Sequence, residues 1–237
     1  MYDLDENINL QHWYVFGDSI SRGIIYNAEQ DRYEICKKNF INILADNFKI
    51  KVNNFSSFGA TVEKGLDLFK RNKGKIQESG IAILEFGGND CDFIWPEVAK
   101  TPHENHEAKT PPEKFIVLYR QLIENLKAKN LLTVILNLPP LEPTRYFEQF
   151  SKTLNKDNIL KFLGGSTKRI YQWHESYNSA LPALAVETGS IHIDIRQGLL
   201  EELQPGKYMC LDGIHPNAAG HELIAKIISD KIKNYLT

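Results

Sequence analysis

Trp13-Tyr14-Val15-Phe16-Gly17-Asp18-Ser19-Ile20-Ser21-Arg22-Gly23 begins as a short apolar run, stops at Gly-Asp-Ser, and carries a second glycine four residues further on. That pattern predicts a buried strand ending in a tight turn that opens a helix. Such a turn holds Ser19 at the carboxyl edge of a sheet, with its own N–H and its neighbour's close to a helix start, which is where a serine nucleophile belongs. Gly-Asp-Ser is also ordinary turn chemistry, so the stretch alone fits a structural turn as well as a catalytic one.

The same punctuation recurs along the chain. Short strands are expected at 51–55, 81–86, 131–136 and 191–195, and the one at 81–86 is nearly continuous in apolar character, as a strand covered on both faces must be. Between them, apolar residues at helical spacing predict helices over 34–48, 61–71, 112–129 and 167–188, the last ended by Gly189, and a terminal helix after Pro216. Strands alternating with helices imply an α/β fold with a mainly parallel, doubly wound sheet whose strand carboxyl ends share one rim. Ser19, Gly59 and Asn89 all fall on that rim.

At 237 residues the chain suits one domain spanning 1–237, with loop insertions at about 91–112 and 141–165. A hydrophobic content of 42% with 24% charged residues is that of a globular protein, and no segment approaches eighteen consecutive apolar residues. The acidic residues 1–7 have neither the basic nor the apolar region of a secretion signal, so a cytoplasmic location is expected. Net charge is −2 with both signs interspersed, which points away from nucleic acid and anionic membranes and toward a small ligand. Cys36, Cys91 and Cys210 are odd in number and widely spaced, against a disulfide framework. His103 and His106, with Glu104 and Glu107, sit in a polar loop without zinc spacing, and no metal is expected.

A serine needs a base, the base a fixed tautomer, and the developing oxyanion preset donors. Asp212 and His215, three residues apart in Asp212-Gly213-Ile214-His215-Pro216-Asn217, can pair carboxylate with Nδ1–H and turn Nε2 outward toward Ser19. Gly59 offers an unobstructed backbone N–H, Asn89 a side-chain amide, and Ser19 its own N–H. Each also has a bland reading: Gly59 as a turn glycine, Asn89-Asp90 as an Asx turn, Asp212-Gly213 as a tight turn, and His215 as a loop histidine. Four polar clusters at successive strand ends, in the order that a doubly wound sheet brings together, favour the catalytic reading.

Gly17-Asp18-Ser19, Gly59 within Ser-Ser-Phe-Gly-Ala-Thr, Gly87-Gly88-Asn89-Asp90 and Asp212-Gly213-Ile214-His215-Pro216-Asn217 resemble, in order, the four sequence blocks of the GDSL or SGNH hydrolase family. The resemblance spans Phe16 to Asn217. It implies a flavodoxin-like three-layer α/β/α sandwich around a five-stranded parallel sheet, and ester hydrolysis without a cofactor. It further implies Ser19 as nucleophile, His215 as general base and then acid, Asp212 as its orienter, and Ser19, Gly59 and Asn89 as the oxyanion hole.

The family name does not choose the ester. Asp92, Phe93 and Trp95, with Glu142, Arg145 and Tyr146, combine aromatic faces and charges at the rim, which leans toward a small acyl group, acetyl above all, on a carbohydrate or other polar alcohol. The alternative for Phe93 and Trp95 is that they plug the core. A longer-chain lipase or thioesterase is the rival enzyme, and a flavodoxin-like ligand-binding module the rival non-enzyme. The latter needs a glycine-rich phosphate cradle that the chain lacks. Cys91, beside Asn89, is either a reactive thiol or a small buried residue.

Overall fold

The computed structural model describes residues 11–202 and 205–236; the acidic residues 1–7 lie outside that range. The central sheet is built of β1 (His12–Gly17), β4 (Lys51–Asn54), β5 (Gly80–Glu85), β6 (Leu131–Leu136) and β7 (Ile191–Ile193). Every pairing is parallel, in the order β4-β1-β5-β6-β7. Counted along the chain that is 2-1-3-4-5, the flavodoxin-like order, in which ligands bind outside the strand carboxyl ends where the winding reverses. The reversal lies at β1, so the loops after β1 and its neighbour β5 border the crevice.

Alternation along the strands splits the core in two. Tyr14, Phe16, Ala82 and Leu84 face α3 (Val62–Asn72), α5 (Pro112–Lys127) and α9 (Leu181–Thr188), while Trp13, Val15, Ile81 and Ile83 face α2 (Phe40–Phe48), α10 (Ile195–Leu200) and α11 (Ala218–Leu236). Both faces of the central strands are thus buried, the reason they read as apolar runs. β7 is an edge strand, with His192 half-buried between Ile191 and Ile193.

A third apolar cluster sits beyond the strand ends, where α4 (Trp95–Lys100), α6 (Pro143–Phe150), α7 (Lys156–Phe162) and α8 (Lys168–Asn178) bring together Phe93, Trp95, Phe147, Ile159 and Ile170. The two expected insertions therefore pack against each other, α4 from one touching α7 from the other.

Two expectations are corrected. The helix anticipated over 34–48 begins only at Phe40, capped by Asn39. Arg32–Ile35 is instead β3, paired antiparallel with β2 (Ile24–Asn27) in a hairpin outside the main sheet. Ile35 matched the helical spacing of Phe40 and Leu44, yet it is exposed where they are buried. The helix anticipated over 167–188 is two, α8 and α9, because Pro182 has no N–H to continue the ladder and sits in the first turn of α9. Gly189 ends α9 in the left-handed conformation, as expected. Among the described residues no helix is long and apolar enough to cross a membrane.

Candidate active site

β1 delivers its last residue, Gly17, against the floor of the crevice. A Cβ there would meet Ser21 Oγ at 2.7 Å and the Glu85 carbonyl oxygen at 2.9 Å, so no side chain fits. The next residue, Asp18, caps the single-turn helix α1 (Ser19–Arg22) by accepting from Ile20 N–H at 2.8 Å. Ser19, one residue past that cap, is 7% exposed at the cavity wall.

His215 arrives from the far end of the chain. Its Nε2 lies 2.8 Å from Ser19 Oγ, and its Nδ1 lies 2.5 Å from Asp212 Oδ2. Asp212 is fully buried, and its other oxygen accepts from the N–H groups of Ile214 and His215, each at 3.2 Å. An ionised carboxylate only accepts, so Nδ1 carries the imidazole proton and Nε2 is left with a lone pair for the Ser19 hydroxyl. The loop is braced twice: Cys210 N–H donates to the His215 carbonyl at 2.8 Å, and Glu142 N–H donates to the Gly213 carbonyl at 2.8 Å.

Asn89, in the turn after β5, donates its side-chain N–H to Asp18 Oδ2 at 2.8 Å, which fixes the amide beside Ser19 and leaves its second N–H. Beneath lies Glu85, the last residue of β5, fully buried, accepting from Ser21 Oγ at 3.0 Å and within hydrogen-bonding reach of Asp18. Burial and the adjacent Asp18 charge hold the Glu85 carboxyl well above the usual range, so the two carboxyls share a proton.

Gly59 follows from an extension of β4. Phe55 N–H and Ser57 N–H donate to the carbonyls of Val15 and Gly17, which carries the next turn alongside the Ser19 segment. Gly59 adopts a left-handed φ of 68° in that turn, exposed, next to Phe58, whose ring stacks on His215. Gly59 is not among the residues lining the cavity.

That cavity, about 60 Å³, is lined by Ser19, Asn89 and His215 and by an aromatic wall of Phe93, Trp95, Tyr146 and Trp173. By the same measure it holds a few water molecules. Phe93 and Trp95 are both 5% exposed, so they are core and cavity wall together. Asp92 lines the cavity too, with its carboxylate engaged by Trp95 Nε1 at 2.7 Å and Lys109 Nζ at 2.9 Å. Glu142 and Arg145 are not in the lining; Glu142 caps α6, accepting from Thr144 N–H and Arg145 N–H. Cys91 is buried, and burial with the nearby Asp92 and Asp90 charges pushes its thiol well up, so it is a packed residue and not a reactive one. His106 Nε2 is within 2.8 Å of the Thr101 carbonyl, and among the described residues no group of His, Cys, Asp or Glu is arranged to hold a metal ion.

Sequence reasoning missed four residues. Glu85 lay hidden in an apolar strand. Trp173 and His174, on α8, line the cavity but read as part of a core helix; His174 is buried, and burial together with the Arg196 charge lowers its pKa to about 3, so it is neutral. Tyr33, on β3, sets its ring edge against His215 at 5.3 Å. Its signal is the period-two run Arg32-Tyr33-Glu34-Ile35, of which only Glu34 and Ile35 fall within the helix expected over 34–48.

A five-stranded parallel sheet between helical layers, carrying its polar loops at the switch point, defines a three-layer α/β protein of the SGNH hydrolase type. The chain belongs to the GDSL-like lipase/acylhydrolase family, whose model matches residues 15–223, and it is an ester hydrolase of that family. Among solved structures it is similar to a lipase/acylhydrolase from Enterococcus faecalis, at 17% identity and TM-score 0.61, over 95% of this chain and 97% of that one. It is similar to the psychrotrophic esterase EstA from Pseudoalteromonas sp., at 17% identity and TM-score 0.61, over 95% and 98%. An acetyl xylan esterase, AlAXEase, shares the fold at 17% identity and TM-score 0.59, over 93% and 99%. No curated protein matches the chain.

Proposed function

We propose that the protein hydrolyses esters of small acyl groups, acetyl first among them, through an acyl-enzyme on Ser19. The observation that carries the reading is the unbroken line from Asp212 through His215 to Ser19 Oγ, with steps of 2.5 and 2.8 Å. His215 takes the Ser19 proton as Oγ attacks the ester carbonyl, gives it to the departing alcohol, and then deprotonates the water that releases the acid. Asp212 holds the imidazole in the reactive tautomer. In this reading the Ser19 N–H and the free N–H of the Asn89 amide serve the developing oxyanion from the cavity wall and the Gly59 N–H from the exposed turn outside it, each donor being worth about 10² to 10³ in rate.

The acyl length follows from the cavity. A narrow cavity of about 60 Å³, lined by Trp95 and Trp173, suits a short acyl group such as acetyl or propionyl better than a long chain. The similarity in fold to an acetyl xylan esterase agrees with an acetylated carbohydrate as substrate.

A p-nitrophenyl ester series from acetate to palmitate, run with the protein and its Ser19→Ala variant, tests both points. Hydrolysis confined to acetate through butyrate and abolished by Ser19→Ala is expected. A preference for longer chains overturns the small-acyl assignment, and activity surviving in Ser19→Ala overturns the mechanism.

A further inference from the structure

The ring of His215 is the buried member of a three-ring cluster. Tyr33 meets it edge-on with centroids 5.3 Å apart, Phe58 stacks on it at 6.2 Å and 23°, and Tyr33 and Phe58 are 5.3 Å from each other. His215 is 2% exposed, but Tyr33 is 40% and Phe58 55% exposed, so the cluster presents a contiguous aromatic face to solvent beside the imidazole. Neither ring lines the cavity.

From this face we infer the subsite for the alcohol half of the ester, and the class of alcohol it takes: a pyranose ring. The inference rests on the serine-ester reading. In that chemistry the departing oxygen receives its proton from His215 Nε2, so the alcohol must leave past the imidazole while the acyl group sits in the cavity. The surface met on that path is the Tyr33 and Phe58 pair.

Its rim is charged. Asp31 pairs with Lys152 at 2.8 Å, Arg32 with Glu34 at 3.6 Å, and all are on or beside the hairpin that carries Tyr33. Two exposed rings inclined at 58° to each other, with charged, hydrogen-bonding groups at their edge, match a sugar, whose ring offers C–H bonds on its faces and hydroxyls around its perimeter. An alkyl alcohol has no use for the rim, and an aryl alcohol none for more than the face.

The platform is held before substrate arrives. Tyr26 packs on Tyr33 at 5.4 Å, Tyr26 N–H donates to Cys210 Sγ at 3.4 Å, and Lys152, just beyond α6, ties the hairpin tip at Asp31. Little is left to order on binding, which is how a rigid aromatic surface adds affinity.

The test is kcat/KM for methyl acetyl-β-D-xylopyranoside, phenyl acetate and ethyl acetate, with the native protein and with Tyr33→Ala, Phe58→Ala and Phe58→Tyr. Loss of one ring is expected to lower the sugar ester about three- to tenfold relative to ethyl acetate, through KM, with Phe58→Tyr restoring it. An equal loss on all three esters overturns the inference, because the rings would then act only by supporting His215. A loss largest for phenyl acetate, or no hydrolysis of the xyloside by a protein that turns over ethyl acetate, overturns the sugar. Absence of Ser19-dependent hydrolysis of every ester removes the serine reading itself, and the subsite with it.

Discussion

Two carboxylates at the site have opposite duties. Asp212 must stay ionised, since only an acceptor at Nδ1 keeps the His215 proton there and the Nε2 lone pair on Ser19. Asp212→Asn preserves shape but presents an N–H to that nitrogen, and kcat for p-nitrophenyl acetate is expected to fall about 10⁴-fold with little change in melting temperature. Glu85 is the reverse case, kept protonated by burial and by Asp18. Glu85→Gln offers Asp18 a donor and Ser21 an acceptor as the acid does, so it should retain activity within a few-fold, while Glu85→Ala leaves Ser21 Oγ without its acceptor and removes the carboxyl that shares a proton with Asp18. Equal loss in the two variants, measured as kcat at pH 7.5, would show that the shared proton has no part in holding Asp18. Ser19, Asp212 and His215 could be singled out because they fall in turn clusters at successive strand ends, in the order that a doubly wound sheet brings together, where no one turn separates a structural from a catalytic reading. Glu85 could not be, because one charged residue at the end of an apolar strand says nothing about what lies beneath it.

The elements position the site through their ends. Asp90, buried after β5, accepts from Val62 N–H at the start of α3 at 3.1 Å, joining the Asn89 turn to the helix that follows Gly59. Burial raises its pKa to about 7. An unfolded aspartate ionises near 3.8, so between about pH 4 and 7 the native state holds the extra proton, and this group's contribution to stability falls as pH rises through that window. Melting temperature should decline from pH 5 to 7.5, and Asp90→Asn should flatten that decline; an unchanged slope would place the titration elsewhere. Gly213 shows the same for the loop that arrives from the far end of the chain. It has φ 79°, and a Cβ there would meet the Glu142 carbonyl oxygen at 2.6 Å and Tyr146 N at 2.7 Å. Gly213→Ala is therefore expected to cost more than about 1 kcal/mol and to lower activity by displacing the His215 loop, read by thermal melting and acetate hydrolysis together. Helix and strand existence was legible from periodicity for most of these elements. The hairpin of β2 and β3 was not, because four-residue strands give too few turns of the pattern to separate period two from helical spacing.

Across the whole molecule the two halves of the core meet through the central strands. Ile83, fully buried in β5 between β1 and β6, packs in the cluster of α2, α10 and α11. Ile83→Ala is expected to cost about 2 to 5 kcal/mol in urea unfolding, since a sheet covered on both faces cannot collapse into the space. The same architecture explains what the chain could announce by itself. Alternation of apolar strands with amphipathic helices determined the layered α/β class, and turn residues at the strand ends determined which side chains reach the rim, since both depend on local spacing alone. Tertiary structure decided the rest. The aromatic wall that limits the cavity comes from three segments far apart in sequence, and the Tyr33 and Phe58 face beside His215 comes from two more. An aromatic side chain has the same hydrophobicity whether it fills a core, closes a cavity or meets solvent, so only the packing of its neighbours assigns it to one of these.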